Sequence, residues 1–172
     1  MNCVASGCEV YATGSMTGSS KWQLVGGICG YAKGSGQVMF SNCLSSAETV
    51  SGLLAATGGI GGFVGYIDGT YEFANCAVCM ESSDILYNSG PVTALSNGYY
   101  GSFFGRSPKA ATLTDCYAPA DIQFGPTNGS ETRTDCEGIP ASQMTDGTLL
   151  NKLNANVSAL TGAKVWVAGA DG

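Results

Sequence analysis

The 172-residue chain contains no histidine. That absence removes Ser-His-Asp and Cys-His catalysis and every zinc site that needs an imidazole ligand. Charge is scarce as well: Asp, Glu, Lys and Arg make up 12% of the residues, about half the usual share. Seven basic residues stand against thirteen acidic ones, for a formal net charge of −6. The basic residues are scattered and form no stripe of the kind phosphate backbones require, so no nucleic-acid partner is expected. No apolar run approaches the roughly 18 residues of a membrane span, so none is expected. The opening MNCVASGCEV has no basic region followed by an apolar one, and so shows no signal peptide; the expectation is that a longer parent protein carries its signal upstream.

What the chain has in excess is glycine, 26 residues in all, about twice the average usage. Apolar residues reach 44%, which supports one domain with a real core and argues against disorder. Serine, threonine and asparagine supply a neutral polar surface.

The glycines are organised. GGICG at 26–30, GGFVG at 61–65 and GSFFG at 101–105 recur at similar intervals. Each is followed by a short polar-and-apolar stretch and then by SNC, ANC or TDC, ending on Cys43, Cys76 and Cys116. The chain also opens on an isolated Asn2-Cys3. The segments after each cysteine carry Val, Ile, Tyr and Phe without long helical periodicity, which predicts short strands. The recurring unit is built from strands and glycine turns and is roughly 33 to 40 residues long, within the range of solenoid and propeller repeats. It lacks the WD and kelch signatures, and its copies are too few for a closed propeller, so a parallel β-solenoid is predicted. Stacked units place equivalent side chains in ladders. Cys3, Cys43, Cys76 and Cys116 would form one; Ile28, Phe63 and Phe103 another. Gly26, Gly27, Gly30, Gly61, Gly62, Gly65, Gly101 and Gly105 would turn corners at positive φ. Cys8 and Cys136 fall outside the first ladder.

These residues resemble the GLUG-motif repeats of bacterial surface proteins, which run roughly Gly-Gly-Leu-Val-Gly, an apolar strand, then Asn-Cys or Asn-Ser. The pentapeptides match the first part; Asn42-Cys43, Asn75-Cys76 and Asp115-Cys116 match the second. The resemblance covers about residues 1–125. Tyr117 and Gly7 keep further family positions that other copies have lost. The resemblance implies a secreted or surface-anchored, adhesin-type protein with no catalytic residue in the motif. It also extends to the C-terminal segment, where Met144-Thr145, a helical piece with Leu149, Leu150 and Leu153, and a strand at Trp166 are expected. Independently of the family, the leucine spacing predicts a helix, with Ser142 or Thr145 as its N-cap. Residues 1–138 are thus read as the repeat region. Residues 139–172, closing on GADG, are read as a cap over the last unit or a connection to a further module.

Other motifs yield no site. Cys76 and Cys79 have C-x-x-C spacing but no second pair for zinc and no βαβ setting for redox chemistry. Most of the eight cysteines are expected as buried free thiols, with Cys8 and Cys136 the exceptions. GGFVGYID has the wrong spacing for a calcium nonapeptide, and no Gly-Lys-Ser/Thr marks a phosphate loop. No cofactor and no metal are expected. Glu48, Glu72, Glu81, Asp84, Asp115 and Asp121 would matter to an enzyme only if some of them met in one groove. Tyr66, Tyr71, Tyr99 and Tyr100 either stack on sugars or fill the core. Three functions follow: a non-catalytic stalk or adhesive surface for an extracellular glycan or host protein, a β-helical carbohydrate-active enzyme, or a fibre former whose units associate end to end. Neighbouring repeats of a longer parent chain are expected partners in each case.

Overall fold

The computed structural model describes residues 1–12, 23–34, 38–52, 58–87, 90–92, 99–106, 110–125 and 131–168. Over these residues the chain is an all-β protein with parallel sheets and two short helices near its C-terminus.

Successive repeats contribute short strands to a common set of sheets, and among the described residues the last, short repeat contributes only Glu131–Thr134 and Glu137–Ile139. The five-stranded sheet holds Val4–Ser6, Leu44–Ser46, Ala77–Val78, Tyr117–Pro119 and Glu137–Ile139, in that order. The strands Val38–Ser41, Tyr71–Ala74, Ala111–Thr114 and Glu131–Thr134 form a second parallel sheet. Leu24–Gly26, Gly59–Gly61 and Tyr100–Gly101 form a third, and Cys29–Lys33, Val64–Asp68 and Phe104–Arg106 a fourth. In the last sheet Glu9–Ala12, Thr49–Gly52 and Ile85–Tyr87 are parallel, and Gly90–Pro91 closes its edge as the one antiparallel partner among the described strands.

The register keeps corresponding positions of successive repeats opposite one another. Val4, Leu44, Ala77, Tyr117 and Glu137 are successive partners. The step from Tyr117 to Glu137 is little more than half as long as the steps before it, and so shorter than the repeat length expected. Residues 123–124 there take over the pairing of a full pentapeptide: the Phe103 N–H donates to the Phe124 carbonyl at 2.9 Å, as the Phe63 N–H donates to that of Phe103.

Two phenylalanine columns fill the interior. Phe63, Phe103 and Phe124 stack with centroids 4.7 and 5.0 Å apart; Phe40 stacks on Phe73 at 5.2 Å. The columns meet edge to face, Phe73 lying 5.5 Å from Phe103, so both favoured aromatic geometries are used at once. The Ile28 N–H donates to the Phe63 carbonyl, placing Ile28 at the head of the first column.

The repeat glycines work differently from the expectation. None of the eight has positive φ; among the described glycines that conformation belongs to Gly7, Gly147 and Gly162. They are glycines because neighbouring backbone leaves no room. A β-carbon on Gly65 would lie 2.5 Å from the Val25 nitrogen and 2.6 Å from the Gly30 oxygen. On Gly105 it would meet the Ile60 nitrogen and the Gly59 and Gly65 backbone. The same holds, against backbone atoms, at Gly26, Gly27, Gly30, Gly61, Gly62 and Gly101.

Side chains alternate across the five-stranded sheet. Ser45, Val78 and Ala118 face inward, while Leu44, Ala77 and Tyr117 face a second apolar cluster. That cluster is completed by α2 (Thr148–Asn156), which follows α1 (Ala141–Thr145) and presents Leu149 and Leu153 one turn apart. The helix therefore lies along the flank of the sheet, against residues of several repeats. Ser142 and Thr145 sit inside α1 and cap nothing. The Asp146 carboxylate accepts the Thr148 N–H at 2.8 Å, after Gly147 turns the chain at φ +91. Trp166 lies in an irregular segment and forms no strand.

Candidate functional site

The Asx-Cys dipeptides build the most regular feature of the molecule. Asn2, Asn42, Asn75, Asp115 and Asp135 all adopt left-handed backbone, with φ of 57, 52, 51, 52 and 52. Asn and Asp are the non-glycine residues that tolerate this region best. The turn swings the chain between two sheets, and the same backbone hydrogen bond is repeated beneath it: the N–H groups of Asn2, Asn42, Asn75 and Asp115 donate to the carbonyls of Ser41, Ala74, Thr114 and Thr134 at 2.9–3.0 Å.

The side chains continue the column. Asn42 Nδ2 donates to Asn2 Oδ1 at 2.7 Å, and Asn75 Nδ2 to Asn42 Oδ1 at 2.9 Å. At the next step the sequence places Asp115, which has no amide to give, and Asn75 Oδ1 is buried without a hydrogen-bond partner. Burial, with the neighbouring Asp135, raises the Asp115 carboxyl above the usual aspartate range. A carboxyl shifted upward on folding contributes stability that is complete below its unfolded pKa and is lost as pH rises through its folded one. The protein is therefore expected to lose stability as pH climbs from about 4, the ordinary aspartate value, toward neutrality. Asp115→Asn should reduce that slope, leaving the part due to the Glu131 carboxyl, which burial also raises, and, by supplying the missing donor to Asn75 Oδ1, stabilise the fold by about 1 kcal/mol at pH 7. Urea unfolding at pH 4 and pH 7 checks both; a variant that is less stable at neutral pH refutes the reading.

The cysteines follow in step. Cys43, Cys76 and Cys116 are buried, Cys136 half-buried and Cys3 exposed, and all eight cysteines are free. Each of Cys43, Cys76, Cys116 and Cys136 donates its thiol to the carbonyl two residues earlier, at 3.2–3.4 Å. Cys136 therefore belongs to the column. Its copy of the motif, Thr134-Asp135-Cys136, repeats Thr114-Asp115-Cys116. Cys136 also follows Gly125 at the interval at which Cys76 follows Gly65 and Cys116 follows Gly105. Those two signals in the sequence mark it. Burial pushes the Cys116 thiol well up, and the Cys76 sulfur together with burial does the same to Cys43. Cys79 packs in the helix-side cluster and Cys76 in the interior, so the C-x-x-C residues are not brought together as a pair.

The C-terminal segment follows the asparagine column, passing from Asn75 at Leu153 to Asn2 at Gly162 and then turning back to Asn42 at Lys164 and Trp166. Asn75 Nδ2 donates to the Leu153 carbonyl at 3.0 Å, Asn42 Nδ2 to that of Lys164 at 2.9 Å, and Asn2 Nδ2 to that of Gly162 at 3.0 Å. Trp166 Nε1 donates to Asn42 Oδ1 at 2.7 Å, and Asn154 clamps the Trp166 backbone through both its N–H and its carbonyl.

Of the aromatic candidates, Tyr66 and Tyr71 are buried and Tyr99 and Tyr100 half-buried. Tyr31 is 43% exposed, stacks at 5.2 Å on Tyr66, and donates its hydroxyl to Asp68, beside which Lys33 lies at 3.9 Å. Among the acids, Glu81 and Asp121 line one open depression of about 510 Å³, where Ser82 donates to Asp121. Glu72 sits on another sheet, Asp115 in the column, and Glu48 in an exposed turn. Among the described residues no group of three or more metal-ligating side chains gathers, and no helix is long and apolar enough to cross a membrane.

The class these features define is an all-β protein of parallel sheets with an asparagine–cysteine column along one corner. Comparison with family models, with curated proteins and with solved structures gives no match.

Proposed function

We propose that the chain is a stretch of parallel β-solenoid of the GLUG-repeat type, working outside the cell as a non-catalytic stalk and adhesive face of a bacterial surface protein. The observation that carries this reading is the in-register column of left-handed Asn and Asp residues, five positions long, which lets similar units add along one axis with the same backbone hydrogen bond at each step. Each added unit lengthens such a stack by about 4.8 Å. A surface of neutral polar side chains suits an extended element that must stay soluble without attracting charged bystanders.

For the adhesive role, the exposed ring of Tyr31 with Asp68 and Lys33 beside it supplies an apolar plane flanked by an acceptor and a donor. That combination suits a pyranose ring. Glycan-array and mucin binding by the full chain tests it: retention of a neutral or amino sugar, lost in Tyr31→Ala, is expected. Silence on every glycan would reduce the role to that of a spacer.

A further inference from the structure

The cysteine column ends on a pair of thiols placed for reaction with each other. Thr114 pairs with Thr134 and Tyr117 with Glu137, so Cys116 and Cys136 stand opposite one another with no slip in register. The Asp115 N–H donates to the Thr134 carbonyl at 3.0 Å and the Glu137 N–H to the Cys116 carbonyl at 3.1 Å, which fixes the alignment on both sides. Both preceding aspartates have φ of 52, and both thiols bond the carbonyl two residues back at 3.4 Å, so the two side chains have equivalent settings. Neighbouring parallel strands lie about 4.8 Å apart, within the Cα separations of roughly 4.4–6.8 Å that a disulfide spans. Cys116 is buried, whereas Cys136 is half-open to solvent.

We propose that Cys136 and Cys116 form a redox-active dithiol, Cys136 attacking and Cys116 resolving, whose oxidant is a small disulfide. The Cys136 thiolate attacks one sulfur of the oxidant and expels the other as a thiolate, leaving a mixed disulfide. Cys116 then attacks the Cys136 sulfur and expels the second thiolate, which takes up the Cys116 proton. The protein is oxidised by two electrons, and the small disulfide is reduced to two thiols.

The first step is supported by the Cys136 thiol, held down at about 7 chiefly by the adjacent Cys116, against burial, with Arg133 assisting. Thiolate is the attacking species, so Cys136 is ready at neutral pH. The second step is slower, because burial holds Cys116 up; forming the mixed disulfide removes the Cys136 charge that also opposes its ionisation.

The experiment incubates the full chain with oxidised glutathione, alkylates the remaining thiols at intervals and maps the peptides by mass spectrometry. A glutathione adduct on Cys136 should form first and then disappear as a Cys116–Cys136 disulfide accumulates, and dithiothreitol should reverse it. Cys136→Ser should lose both products, and Cys116→Ala should hold the adduct on Cys136. Circular dichroism of each variant shows whether it folds, and the time course of the unmodified chain stands on its own if Cys116→Ala does not. An adduct that persists on Cys136 in the unmodified chain, a first disulfide between Cys3 and Cys43, or no modification at Cys136 would overturn the proposal.

Discussion

Gly105→Ala is expected to destabilise the fold by about 3 kcal/mol or more, and Gly65→Ala by a similar amount. The added methyl group on Gly105 falls on the Ile60 nitrogen and lies 2.6 Å from the Gly59 carbonyl carbon and 2.7 Å from the Gly65 oxygen. All three atoms are backbone of the preceding repeat, so no side-chain rotation relieves the clash. Accommodating it means parting two strands and breaking the bonds between them. Gly90→Ala is the control: its β-carbon would meet only the Tyr87 oxygen, at 3.6 Å, and a change within about 0.5 kcal/mol is expected. Urea unfolding of the three variants decides the matter. Equal stability of Gly105→Ala and Gly90→Ala would refute the claim that backbone contact selects these glycines.

Asn75→Ala should be nearly as damaging, by roughly 3 kcal/mol, through two separable effects. The side chain is fully buried and donates both to Asn42 Oδ1 and to the Leu153 carbonyl. Alanine leaves that carbonyl without its partner inside the protein, and it must also hold φ near +51, which asparagine tolerates and alanine resists. Asn75→Gly separates the two effects. Glycine relieves the backbone and should recover about 1 kcal/mol while still lacking both donors. If Asn75→Gly matched the parent protein, the side-chain column would contribute nothing; if it matched Asn75→Ala, the turn would impose no strain.

The same pair of residue types explains what the sequence discloses and what it conceals. The spacing of GGICG, GGFVG and GSFFG discloses the recurring unit, because each needs glycine at the same close approach between repeats. It does not disclose the reason, since glycine answers both to positive φ and to the lack of a β-carbon. The left-handed turns belong instead to Asn2, Asn42, Asn75, Asp115 and Asp135, and the recurring Asx-Cys dipeptide is their mark in the sequence. Cys136 escapes notice because its repeat is far shorter than the others and has exchanged the pentapeptide for Phe124-Gly125. The helix is legible from Leu149 and Leu153, which recur at one-turn spacing and bury together. The course of residues 162–166 along the column is not. The asparagines hold it largely through main-chain atoms, which every sequence possesses, and the Trp166 indole N–H adds one side-chain bond.

The repeats stack in register, one strand spacing apart. Met39, Glu72, Thr112 and Thr132 are successive partners in one sheet. Genetically encoded nitroxide labels, which leave the native cysteines untouched, can be placed at Met39 together with each of the other three positions. Dipolar broadening measured by electron paramagnetic resonance should then report backbone separations rising in equal steps of about 4.8 Å, to roughly 14 Å for the Met39–Thr132 pair. Broad distributions, or a Met39–Thr132 separation far beyond three strand spacings, would contradict the stack and with it the account of every column in the molecule.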